Sequence, residues 1–171
     1  MGKAIRFICT ITLVVILLSC SNDVKDIQKD IPKFTISGRY QEFYSVIVPV
    51  DSTEKQLINL IQEIREARIE NNLNKYFSPT TPNGKMGDYA IVGVYVFSDP
   101  YMAAGEALRK YIYGSDKNPS DVEFAQQFAN KVLAHYYFAV PDVEFGCIGL
   151  RDSGIEPTAT YKKLFGNNIP Y

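Results

Sequence analysis

Residues 89–97, YAIVGVYVF, form an uninterrupted apolar run. Read as a strand, it sends Ala90, Val92, Val94 and Val96 to one face and Tyr89, Ile91, Gly93, Tyr95 and Phe97 to the other. A strand with no polar face has to be covered on both sides, which places it in the middle of a sheet with a layer packed above and below. Gly93 interrupts the side chains and leaves room for something to approach the backbone.

Upstream of that strand, residues 33–40 and 43–50 are rich in Ile, Val, Tyr and Phe. They read as two strands joined by a tight connection, with Gly38 and Arg39 between them and Pro49 limiting the second. Thr53 followed by Gln56 is a capping box, in which each residue satisfies a backbone group of the other at a helix start. Leu57, Leu60, Ile61, Ile64 and Ala67 then recur at helical spacing as a core-facing stripe, and Asn71 and Asn72 are stop signals. Residues 78–88, SPTTPNGKMGD, form a loop that belongs outside the core and is a candidate place for a partner to touch.

Downstream, Ser98-Asp99-Pro100 offers a cap and a first-turn proline, so a helix is expected over 101–113, ending at Gly114. A second capping box, Ser120 with Glu123, opens a helix whose Phe124, Ala125, Phe128, Ala129 and Val132 share a face. Residues 135–140 and 143–150 read as strands, the first bounded by Pro141 and the second interrupted by Gly146 and Gly149. Asp152-Ser153-Gly154 suggests a turn, 161–165 a short helix, and 167–171 a loose end. The expected fold is α/β (or α+β): one small domain over 33–171, with a central sheet of about four to five strands covered by three helices.

At the N-terminus Lys3 and Arg6 precede residues 7–18, an apolar run of 12 with Thr10 and Thr12 inside it. A membrane-spanning helix needs about 20 such residues, so the pattern is that of a signal peptide. Its end, Leu17-Leu18-Ser19-Cys20, resembles the lipobox of bacterial lipoproteins. The resemblance implies that residues 1–19 are removed, that Cys20 receives diacylglycerol, and that residues 20–32 tether the body to a membrane. Ser21 stands where aspartate would signal inner-membrane retention, so the outer membrane is favoured in a Gram-negative source. An ordinary cleaved leader and an uncleaved helix are the competing readings. Met1-Gly2 is followed by Arg6 where a myristoylation motif has serine or threonine. The body over 43–113, a strand ending in Val-Pro, a capped helix and an apolar strand running into Ser-Asp-Pro, resembles small bacterial α/β domains of unassigned function. That likeness carries no active-site residues.

Taking away the first 19 of 171 residues leaves 152, with 16 basic and 19 acidic side chains and a net charge of −3. A chain with this balance and no basic stripe lacks the electrostatic footprint of a nucleic-acid binder. Cys9 leaves with the leader, Cys20 takes lipid and Cys147 remains alone, so core packing must supply the stability that many exported domains draw from disulfides.

His135 and Cys147 make the one Cys/His pair of the body, and an imidazole-activated thiolate would be a hydrolase nucleophile. Against this, the histidine opens an apolar strand and the cysteine lies between glycines, where a small buried hydrophobe is the usual role. Arg151-Asp152-Ser153-Gly154 lacks the second glycine of a serine-hydrolase signature, having Ile155 there. Asp99, Asp116, Asp121 and Asp142 lack the spacing of a calcium loop, and one histidine argues against zinc. Phosphate-cradling glycine motifs are missing, so neither a cofactor nor a metal is expected. The compositional excess is tyrosine, twelve against no tryptophan; Tyr76, Tyr101, Tyr111 and Tyr113 flank helix ends and loops and suit a protein or glycan contact, while the competing and more usual reading is that most tyrosines pack in the core. The expectation is a membrane-tethered module that binds an envelope partner without catalysis. The alternative is an envelope hydrolase using Cys147 and His135.

Overall fold

The computed structural model describes residues 29–78, 93–139, 143–151 and 157–166. The lipobox with Cys20, residues 79–92, Asp142 and residues 152–154 lie outside that set. The described chain forms one six-stranded mixed sheet with three α-helices. The strands are β1 (Thr35–Tyr40), β2 (Phe43–Ile47), β3 (Gly93–Phe97), β4 (Ala134–Ala139), β5 (Val143–Ile148) and β6 (Lys162–Gly166); the helices are α1 (Glu54–Ile69), α2 (Gly105–Tyr113) and α3 (Pro119–Lys131).

Strand order across the sheet follows chain order, β1 to β6. Only β2 and β3 run parallel, because α1 carries the chain back over the sheet between them; the other neighbours are antiparallel. As expected, β3 lies inside the sheet and is buried at every described position. Its two faces feed two cores. Val94 and Val96 join Tyr44, Val46, Ala134 and Tyr136 beneath Leu60, Ile61 and Ile64 of α1. Tyr95 and Phe97 pack with Leu108 of α2 and with Phe124 and Phe128 of α3. The sheet is therefore the middle layer of three.

Both halves of the Thr53/Gln56 capping box form, with Gln56 N–H donating to Thr53 Oγ1 (3.2 Å) and Thr53 N–H to Gln56 Oε1 (2.9 Å). All five residues of the expected stripe are buried. α1 stops because Asn71 adopts a left-handed conformation (φ 57°), letting Asn72 N–H reach the Ala67 carbonyl at 2.7 Å.

Four local expectations are corrected. Gly38 lies inside β1 and the hairpin turns at Gln41 (φ 52°) and Glu42. Gly38 is needed for close packing, since a Cβ there would come within 2.7 Å of the Ala103 carbonyl and the Gly105 nitrogen. That same contact holds 100–103 as a turn, capped by Asp99 Oδ1, so α2 begins only at Gly105. α3 is capped by Asn118 with Pro119 in its first turn, while Glu123 accepts from Gln127 rather than from a cap residue. Residues 162–166 are a strand and not a helix: Phe165 lies across Gly146, where a Cβ would be 2.4 Å from its ring, and this sixth strand takes the sheet past the expected four to five.

Candidate functional site

Antiparallel and parallel pairing bring four polar side chains into one row across the sheet. Ser45 of β2 is opposite Tyr95 of β3, Tyr95 opposite His135 of β4, and His135 opposite Cys147 of β5. Residues in register on neighbouring strands share a face, so the row lies on the side covered by α2 and α3. The sequence pair His135/Cys147 is thus brought together as a cross-strand pair.

Its surroundings are those of a packed interior. The His135 ring stacks on Tyr95 with centroids 4.4 Å apart and planes within 10°, and Tyr137 and Phe145 complete its aromatic shell. His135 is 4% exposed, and neither ring nitrogen has a hydrogen-bond partner. Burial alone pulls its pKa down to about 3, so the ring is neutral at physiological pH. Cys147 is fully buried, donates its S–H to the Gly149 carbonyl at 3.2 Å, and has its pKa pushed up to about 12, chiefly by burial. A nucleophilic dyad needs the opposite arrangement, a stabilised thiolate beside an imidazolium with access to substrate. Ser45 Oγ is likewise buried without a partner.

The opposite face carries a second polar assembly. Arg68 Nε–H donates to the Tyr136 hydroxyl (2.7 Å), Arg68 Nη2 to Glu144 Oε1 (2.9 Å), and the Tyr136 hydroxyl to the same Glu144 oxygen (3.0 Å). Arg65 Nε–H holds the other Glu144 oxygen at 2.9 Å. The two guanidinium groups also cover rings, Arg68 over Phe138 and Arg65 over Phe165. Burial opposes the Glu144 charge, but Arg65, Arg68 and Tyr136 outweigh it and lower the carboxyl below its usual range. Burial raises the Tyr136 phenol far above its ordinary value. Every charge is paired, so this assembly ties α1 to β4 and β5 and leaves no group poised for chemistry.

A third cluster holds the start of the described chain. Lys29 pairs with Glu63 (3.2 Å) and Glu66, and Asp30 accepts from Gln56 and Asn59, fixing residues 29 and 30 on α1. The Tyr76 hydroxyl donates to Glu63 at 2.6 Å; this bond first, then Lys29, keeps the Glu63 carboxyl below its usual range against the effect of burial. Beside it a groove of about 760 Å³ runs along Ile31, Phe34, Ile36 and Tyr76, with Lys33 and Lys75 at its margins.

The tyrosines named from sequence divide. Tyr101 and Tyr113 are 71% and 62% exposed, whereas Tyr76 and Tyr111 are half-buried. Among the described residues no group of three or more His, Cys, Asp or Glu side chains is placed to hold a metal ion, and no helix is long and apolar enough to cross a membrane. Sequence reading passed over Arg68, although position 68 continues the α1 stripe one turn beyond Ile64, where a basic residue signals a buried ion pair. It also passed over Glu144, whose arginine partners come from a helix 76 to 79 residues away. No family model, curated protein or solved structure matches this chain.

Proposed function

We propose that the protein is a lipid-anchored cell-envelope lipoprotein whose α/β domain binds a partner and performs no catalysis. The observation that carries the anchor is the Leu17-Leu18-Ser19-Cys20 ending of a short apolar run behind Lys3 and Arg6. Each acyl methylene placed in a bilayer contributes about 0.8 kcal/mol, so several chains on Cys20 hold the body at the membrane. The non-catalytic part rests on the state of His135 and Cys147, both buried and both neutral near pH 7. The partner is an envelope protein or glycan, met through exposed tyrosines such as Tyr101 and Tyr113 or through residues 78–88. Nucleic acid is disfavoured by the acidic balance.

Mass spectrometry of the mature N-terminus tests the anchor: a diacylated Cys20 is expected, and a free Cys20 thiol or an intact Met1 would overturn it. The rival reading, an envelope hydrolase, draws on the cross-strand placement of His135 and Cys147. Cys147→Ala separates the two, since a hydrolase loses turnover while a binding module keeps its partner. Capture of envelope components on the anchored protein then identifies what is bound.

A further inference from the structure

We propose that the groove along Ile31, Phe34, Ile36 and Tyr76, with Lys33 and Lys75, seats on the anionic headgroup layer of the membrane that holds the lipid on Cys20. This inference rests on the anchored reading above. Its first support is chain length. Eight residues lie between Cys20 and Lys29, which makes nine Cα–Cα steps of at most about 3.6 Å each, so the leash reaches no farther than roughly 32 Å. Its far end is fastened, because Lys29 is paired with Glu63 and Glu66 and Asp30 accepts from Gln56 and Asn59. A body of this size is roughly 35–40 Å across. The leash is therefore too short to wrap the domain comfortably, and the side on which it enters is the side turned to the bilayer.

The second support is the chemistry found at that entry. The groove opens immediately after Asp30 along the outer strand of the sheet, and Ile36, whose register partner Val46 belongs to the α1-side core, remains 45% exposed at this edge. An apolar floor, a tyrosine with its hydroxyl held by Glu63, and two exposed lysines at the margin, Lys33 and a Lys75 that lies 3.6 Å from Glu63, match the layering of a membrane interface. Lysines near an anionic surface each add attraction that falls away within a Debye length, so they act only if the leash brings them close. On the far side of the molecule, α3 carries Asp121 and Glu123 with Val122 between them, a poorer match to anionic headgroups.

The test uses the full-length lipidated protein reconstituted in vesicles of phosphatidylethanolamine and phosphatidylglycerol doped with a headgroup nitroxide. A fluorophore is placed at Ile36→Cys or, for reference, at Val122→Cys; buried Cys147 serves as the unlabelled background. Quenching about three-fold stronger at position 36 than at 122 is expected, with the difference shrinking in Lys33→Glu/Lys75→Glu and in phosphatidylcholine vesicles. Equal quenching at both positions on a protein with diacylated Cys20 would overturn the groove and leave the anchor standing. So would a position-36 signal that responds to envelope protein extract and not to lipid. An N-terminal peptide without acyl chains would overturn both. Unchanged melting of each labelled variant confirms that the comparison is made on folded protein.

Discussion

His135 lies flat against Tyr95, ring on ring at 4.4 Å, and this contact joins β4 to β3 in the interior of the sheet. Stacking of a neutral imidazole on a phenol needs no ion and no solvent, whereas an imidazolium in the same place would be a buried charge with no carboxylate among its neighbours Tyr95, Tyr137, Phe145 and Cys147. The pair is stable as long as the ring stays neutral.

Stability should accordingly fall on acidification before the carboxylates titrate. The unfolded histidine binds its proton near pH 6.5 and the folded one only near 3, so between these values the unfolded state holds more protons and stability drops as pH falls. The slope is about 1.4 kcal/mol per pH unit. Glu63 and Glu144, both held below 4.5, add their own losses only at lower pH. Urea midpoints measured from pH 7.5 to 5 should show the His135 slope, and His135→Phe should flatten it. A flat wild-type profile across that range would show that the ring is solvated or paired.

Val94→Asp should unfold the domain or come close to it. Val94 is fully buried between Tyr44 on β2 and Tyr136 on β4. An unpaired buried carboxylate costs several kcal/mol, comparable with a total stability of about 5–15 kcal/mol. Thermal melting of the variant is the measurement, and a near-normal midpoint would mean that this face of β3 meets water.

Arg68→Ala should cost about 1.5–3 kcal/mol, because it takes the cation from the buried Tyr136 hydroxyl and from one oxygen of half-buried Glu144, whose other oxygen Arg65 still holds. Tyr136→Phe removes one neutral hydroxyl from the same assembly and should cost about 1 kcal/mol. The double variant should be less destabilised than the sum, by about 1 kcal/mol, since both changes empty the same network. Strict additivity in urea titrations would indicate that the three groups act independently.

Two glycine substitutions should differ in severity for a geometric reason. At Gly38 a methyl group meets backbone atoms of Ala103 and Gly105, so the 100–104 turn has to move off the sheet. At Gly146 the nearest atoms it meets all belong to the ring of Phe165, a half-buried side chain on an edge strand. Gly38→Ala should therefore lower the melting temperature more than Gly146→Ala, and Phe165→Leu should recover part of the second loss but none of the first.

The order of elements was legible wherever local chemistry and periodicity agreed: the capping box at Thr53, the α1 stripe, and the two-faced burial of Gly93 to Phe97 all reappear in the fold. Errors arose where a distant segment decided the local conformation. Residues 162–166 carry two lysines and a helix-compatible pattern, but the open edge of β5 and the bare surface of Gly146 recruit them as a strand. The start of α2 moved because β1 presses a glycine against its first turn. The polar row was half visible, as His135 and Cys147 could be named; the participation of Ser45 and Tyr95 depends on register between strands about 40 residues apart or more, which no window of sequence contains.

Because the strands stand side by side in the order in which the chain presents them, a polypeptide delivered N-terminus first can widen its sheet one strand at a time, with no segment threaded past another. The β1–β2 hairpin can close by itself, and each later strand finds its neighbour already in place. The parallel pairing of β2 with β3 joins the residues farthest apart in sequence of any neighbouring strands, so it is expected to be the slowest joining step, waiting for the whole of α1 and the residues after it to be released.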